Sequence, residues 1–163
     1  MEIGIRTLNN TDCKAIIDLI LQIQCVEFSL PIGLADQPDI QDIESYYLRS
    51  GGNMWGAFAE DRLVGTIALI STGHQAGAIR KMFVRKEFRG GEWGIAQQLF
   101  QALSDYCARN QITDLYLGTV EIFKAAHRFY ERNGFRRIDR SDLPGYFPVV
   151  KIDDVFYHAH LSN

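Results

Sequence analysis

The chain has 163 residues, 47% of them apolar and 23% charged, enough to bury the core of one ordinary globular domain. Its 17 Lys and Arg against 20 Asp and Glu leave a net charge of −3, which speaks against the broad basic surface of a nucleic-acid binder. The most apolar early run, "AIIDLIL", is short and interrupted by Asp18, so neither a signal peptide nor a membrane span is expected.

Cys13, Cys25 and Cys107 are scattered, with no CxxC pair, and read as reduced thiols of a cytoplasmic protein. No repeat, low-complexity tract or linker divides the chain, so residues 1–163 are expected to form a single domain.

"EIGIRTL" alternates as a strand does. "NNTDCKAIIDLILQIQ" follows with Asn and Thr as cap candidates and Ile16, Ile20 and Ile23 at helical spacing. Pro38 is predicted to open a second helix, with Ile40, Ile43 and Tyr47 on one face and "SGG" as its stop. "NMWGAFAE" and "LVGTIALI" are two strands joined at Asp61-Arg62, and "GAIRKMFV" is a third. Ala96, Leu99, Phe100, Leu103, Tyr106 and Cys107 then form the apolar stripe of a helix. "DLYLGTV" is a buried-type strand, and "FKAAHRFYERNG" is a helix stopped at Asn133-Gly134. "FRRID" and "VFYHAHL" close the chain as strands on either side of "LPGYFP". The order β-α-α-β-β-β-α-β-α-β-β predicts an α/β (α+β) fold, a mixed sheet with helices on its faces.

One stretch concentrates the chemistry. "FRGGEWGIAQQL", residues 88–99, sets an Arg and three glycines between a strand and a helix, where backbone N–H groups can approach an anion. A P-loop would end in Gly-Lys-Ser/Thr, and no Lys lies between Lys86 and Lys124. A dinucleotide fingerprint reads G-x-G-x-x-G, and these glycines run G-G-x-x-G. The remaining choices are a diphosphate site of the acyl-CoA type and a tight turn that needs glycine for its backbone.

A second stretch separates them. "MFVRKEFRGGEWGIAQQL" resembles the acetyl-CoA motif of the GNAT superfamily of N-acetyltransferases, and "AHRFYERNGF" resembles that superfamily's last helix with its Tyr and following Gly-Phe. The element order is similar to that fold from end to end. The resemblance implies a mostly antiparallel sheet splayed at the acyl-CoA site, with helices on both faces. It implies acetyl-CoA as co-substrate with no metal, and an acetyl group moved to a primary amine of a small molecule, peptide or protein by direct attack in a ternary complex. A non-catalytic acyl-CoA-binding sensor or interaction module is the alternative. No nucleic-acid or membrane partner is expected, and a homodimer is in keeping with the family.

Residue by residue, the resemblance assigns backbone contacts to the pantetheine arm to Met82, Phe83 and Val84. It assigns the diphosphate to Arg89, Gly90, Gly91, Gly94, Ile95 and Ala96, with Trp93 as a further contact or a cap on the helix start. Two departures stand out. The family's Arg/Gln position falls on Gly91, with Arg89 two residues earlier, and Phe123 stands where many members carry an Asn. Tyr130 occupies the position of the general acid for the leaving thiolate; its other role would be a core aromatic. Glu27, with Phe28 beside it, and Glu121 are candidates for the acceptor pocket, or else solvated carboxylates.

Arg80, Lys81, Arg85, Lys86 and Arg89 form a basic cluster that reads as a local anion site for the CoA phosphates. His158 and His160 share a strand face but lack a third ligand at local spacing, so no metal is expected there. "LPGYFP" is either a wall of the acceptor pocket or a cover on the sheet.

Overall fold

The computed structural model describes residues 2–162. Seven strands form one sheet: β1 (Ile3–Thr7), β2 (Asn53–Ala59), β3 (Arg62–Gly73), β4 (Ala76–Val84), β5 (Asp114–Thr119), β6 (Arg136–Ile138) and β7 (Val155–His160). Their spatial order is β1-β2-β3-β4-β5-β7-β6. Every neighbouring pair is antiparallel except β4 with β5, so the expected mixed, mostly antiparallel sheet is the one observed.

Local sequence accounts for the hairpins. Arg62 already belongs to β3, so the first turn is Glu60-Asp61, one residue earlier than the sequence suggested, with Glu60 at φ 57°. The next turn uses His74 and Gln75 at φ 60° and 57°, the doubly left-handed form whose twist matches the strands it joins.

Alternation along the strands gives the sheet two apolar faces. Trp55, Ala57, Val64, Ile67 and Leu69 point to one side. There they meet helix α2 (Ile95–Arg109) through Ile95, Leu99, Phe100, Leu103 and Cys107, and helix α3 (Lys124–Arg132) through Phe129 and Tyr130. Met54, Leu63 and Ala68 point to the other side and meet helix α1 (Cys13–Leu21) through Ile16, Leu19 and Ile20. Each fully buried Leu, Ile or Phe contributes about 1.5–3 kcal/mol, so these stripes hold the helices where the short strands alone could not.

The helices end for identifiable reasons. Gly134, at φ 88°, follows α3; its N–H reaches Glu131 O at 3.3 Å and the Phe135 N–H reaches Tyr130 O at 3.0 Å. This is the left-handed stop expected at Asn133-Gly134. The α1 helix continues into a wide π-turn at Gln22–Glu27. The helix expected from Pro38 is instead a 3₁₀ turn, Pro38–Gln41, and a π-turn, Glu44–Leu48. Side chains redirect the backbone between them: Asp42 caps Ser45 and accepts from Asn10, and the buried Asp39 carboxylate accepts the Tyr47 hydroxyl. Ile40, Ile43 and Tyr47 still share the buried face that their spacing predicted.

Candidate active site

The parallel ladder between β4 and β5 is short. It runs from Ala76–Asp114 to Ile79–Leu117 and stops, while β4 continues to Val84. Beyond Ile79 the two strands diverge, the splay that the resemblance implied, and one edge of β4 is left without a backbone partner. Met82, Phe83 and Val84 on that edge line a cavity of about 770 Å³ that extends to the glycine loop and the start of α2.

At the loop, Gly94 takes φ 62° and Gly90 φ 111°, conformations that L side chains resist. No side chain caps α2, so the N–H groups of Ile95, Ala96 and Gln97 lack helical partners, and all three residues line the cavity. A Cβ built on Gly90, Gly91 or Gly94 would meet nothing within 4 Å. Open space faced by uncapped amides at the positive end of a helix suits a diphosphate. The cavity and its donors fit the long, anionic acetyl-CoA molecule.

Charge is distributed differently from the sequence expectation. The Arg89 guanidinium lines the cavity but is clamped by both Glu27 carboxylate oxygens, with Nη2–Oε1 at 2.7 Å, and its Nε donates to Val84 O at 2.8 Å. Arg85 donates to Leu63 O, and Arg80 and Lys81 line a different cavity. The basic cluster of residues 80–89 is therefore divided among several environments, with Lys86 exposed and on neither cavity. The cations on the large cavity that sequence reasoning missed are Lys124, Arg128 and Arg132. Their i, i+4 spacing on α3 was the available signal. Lys124 pairs with Glu121, whereas Arg128 and Arg132 form no ion pair among the described residues.

A second cavity of about 90 Å³ lies behind the splay. Arg80 and Lys81 come from β4, Gln24, Leu30 and Ile32 from the segment after α1, Tyr130 from α3, and Val150, Ile152 and Asp153 from the loop before β7. Asp153 was not anticipated; it sits in an irregular loop with no local motif. Burial pushes its carboxyl up to about 6, against the opposing pull of Arg80 and Lys81. The Tyr130 ring packs on Phe135, Tyr157 and Phe129 at 5.6–6.0 Å between centroids. Burial, with the nearby Asp153 charge, holds its hydroxyl above the ordinary tyrosine range.

Other expected residues lie elsewhere. Phe28 lines the large cavity and packs edge-on against Phe123, which also lines it, at 4.9 Å. Glu27 lines neither cavity and its carboxylate is occupied by Arg89. Glu121 is half exposed, bridges Lys124 and Arg137, and lines neither cavity. Trp93 packs on the buried Phe88 at 5.3 Å and does not line the large cavity, the geometry of a cap on the helix start. His158 and His160 both bind Asp114, and among the described residues no group of three or more His, Cys, Asp or Glu is arranged to hold a metal. His127 is buried against Val120 O at 3.0 Å. The "LPGYFP" loop covers the sheet through Phe147, which packs on Phe156 and Ala78. No cysteine lines either cavity, and burial pushes the Cys107 thiol up to about 12.

A splayed parallel pair, an uncapped helix after a glycine loop and a Tyr on the following helix together form the acyl-CoA site architecture that the sequence resemblance implied. The family model for the acetyltransferase (GNAT) family matches residues 17–135, and the chain belongs to that family. An acetyltransferase of the GNAT family from Staphylococcus aureus Mu50 superposes with a TM-score of 0.94 and 40% identity, covering 98% of this chain and 99% of that one. N-acetylaspartate synthetase from Danio rerio is 35% identical over 130 residues, 77% of this chain and 45% of that protein. The chain thus spans less than half the length of this curated relative. N-acetylglutamate synthase from Neisseria gonorrhoeae, solved with coenzyme A and N-acetyl-glutamate, shares the fold at a TM-score of 0.74 and 15% identity, over all of this chain and 36% of that one. No helix among the described residues is long and apolar enough to cross a membrane.

Proposed function

We propose that this protein transfers the acetyl group of acetyl-CoA to a primary amine within a ternary complex. The observation that carries the reading is the meeting of two cavities at the splay between β4 and β5. The large one has the donors for a pantetheine diphosphate; the small one has room for an acceptor and is lined by Tyr130. Met82, Phe83 and Phe123 line both. Family membership and the N-acetyltransferase relatives support the chemistry, and the name of the Danio relative favours an amino acid over a protein side chain as acceptor.

Acetyl-CoA supplies an acyl group already activated as a thioester, so the protein's work is positioning and proton handling. The uncapped N–H groups of Ile95, Ala96 and Gln97, with Arg128 and Arg132, hold the phosphates. The unpaired edge of β4 at Met82–Val84 aligns the pantetheine arm, and one of its N–H groups polarises the thioester carbonyl. Tyr130 donates its hydroxyl proton to the departing sulfur. Bond by bond, C–N forms, C–S breaks with its electron pair on sulfur, and an acceptor arriving as ammonium gives up two protons. One is balanced by the proton gained by the thiol; the other goes to solvent.

The test is thiol release from acetyl-CoA across a panel of primary amines, with the amide product identified by mass. An amine-dependent rate with matching product is expected. CoA binding without turnover for any amine would favour a sensor.

A further inference from the structure

Arg80 and Asp153 line the same small cavity with opposite charges, yet neither satisfies the other. No ion pair joins them within 4 Å, and among the described residues neither side chain makes a hydrogen bond. Arg80 is half-buried and Asp153 is partly buried. Two opposite charges drawn partly out of water are costly unless something pairs them.

Their separation is built into the fold. Arg80 sits on β4 opposite Ala68, on the face that carries Ala78. The next residue, Lys81, has φ 53° at a break in the β3–β4 register. A non-glycine residue in that region costs roughly 1–2 kcal/mol, and such strain concentrates at ligand sites. The bulge interrupts the alternation of the strand, so Arg80 and Lys81 both line the cavity. Lys81 is spoken for: its ammonium donates to Gln37 Oε1 and lies 3.7 Å from Asp39. The Gln37 and buried Gln24 side-chain amides donate hydrogen bonds to one another, and Asp39 accepts from Tyr47. Thr66 Oγ1 donates to the Lys81 carbonyl at 2.8 Å. This network holds the bulge and leaves Arg80 as the cation with unused donors. Asp153 comes from the loop before β7 and lies against β5, where its Oδ2 would be 2.6 Å from a Cβ on Gly118.

We infer that this cavity takes a small zwitterionic acceptor, an amino acid whose carboxylate is bound by Arg80 and whose amine is held and deprotonated by Asp153. The inference rests on the acetyltransferase reading and specifies its acceptor. At about 90 Å³ the cavity is small, so the acceptor is compact. Arg80 and Lys81 at the wall disfavour polyamines and lysine-rich peptides. An ammonium salt-bridged to Asp153 gives one proton to that carboxylate, which passes it to solvent before the next turnover. The groups around Asp153 that set its titration are Arg80, Lys81, Asp154 and Arg140, with Tyr130 adjacent.

The experiment compares matched acceptors, free L-amino acids against their carboxamides and against spermidine, in the wild type, Arg80→Gln and Asp153→Asn. CoA-induced thermal stabilisation is measured in each to confirm an intact fold and cofactor site. The wild type should prefer the free amino acid over its amide by about tenfold or more, the scale of a charge-assisted hydrogen bond. Arg80→Gln should raise KM for the amino acid and erase that preference. Asp153→Asn should lower kcat and remove the acidic limb of the pH profile. Equal use of acid and amide by the wild type, or an intact preference in Arg80→Gln, overturns the inference while the transferase reading stands. No turnover with any amine, despite CoA binding, overturns both.

Discussion

The two terminal nitrogens of Arg89 grip the two carboxylate oxygens of Glu27, joining residues 62 apart in sequence. The pair ties the loop ahead of α2 to the end of the π-turn that follows α1, and the Arg89 guanidinium also sits 5.8 Å over the Phe28 ring. Glu27 thereby anchors the loop that carries Arg89. Glu27→Gln should raise KM for acetyl-CoA several-fold and lower stability by about 1 kcal/mol, the upper range for a partly exposed pair. The pH profile of kcat should keep its acidic limb. Loss of that limb would make Glu27 the base.

The glycine loop separates close approach from backbone strain. Gly91 lies outside the left-handed region and a Cβ there meets open space, whereas Gly94 sits at φ 62°. Gly91→Val should leave the melting temperature nearly unchanged and weaken CoA binding by about tenfold or more if the diphosphate lies against it. Gly94→Val should weaken binding and destabilise as well, because a β-branched residue resists positive φ. Titration calorimetry on both, beside thermal melts, checks this; unaltered affinity in both would move the phosphates elsewhere.

Arg128 and Arg132 are the cations that face the large cavity without a protein partner among the described residues. Arg128→Gln and Arg132→Gln should each weaken CoA by about tenfold and flatten the dependence of its affinity on salt. Dephospho-CoA, lacking the 3′-phosphate, should be less sensitive to whichever arginine holds that group. Two variants that bind CoA as tightly as the wild type would contradict the assignment.

The fold was legible because its signals are local and periodic. The stripe from Leu99 to Cys107, the Asn133-Gly134 stop and the strand "DLYLGT" each state their geometry in a few residues. The splay could be anticipated only by resemblance, since nothing in residues 80–84 announces a missing neighbour. Pro38 pointed to a helix that Asp39 and Asp42 divert through side-chain bonds to Tyr47, Ser45 and Asn10, partners that a linear pattern does not reveal. The same limit explains Glu27 and Asp153. Whether a carboxylate is occupied or available depends on what folding brings near: Arg89 occupies Glu27, whereas no cation comes within 4 Å of Asp153 among the described residues.

Asp153 links function to stability. Its folded-state value of about 6 lies above the ordinary 3.8, so the folded protein resists its ionisation. Stability from this group is complete below about pH 4 and declines as pH rises through 6. Asp153→Asn should therefore melt higher than the wild type at pH 8, by on the order of 2 kcal/mol, and equally at pH 4. A uniform shift at both pH values would mean that packing, not ionisation, is what the substitution changes.

If Tyr130 hands its proton to the leaving sulfur, Tyr130→Phe removes that proton while the ring that packs on Phe135 and Tyr157 is kept. The measurement is kcat for thiol release under saturating acetyl-CoA and acceptor, with CoA affinity determined in parallel. A fall of roughly 10²-fold in kcat is expected, the scale of one positioned acid, with CoA affinity nearly unchanged. The wild-type rate should decline only at a pH above the ordinary tyrosine range, since burial raises the hydroxyl, and that decline should vanish in the variant. A Phe variant that turns over at the wild-type rate would leave Tyr130 as a core aromatic and assign the proton to another group or water.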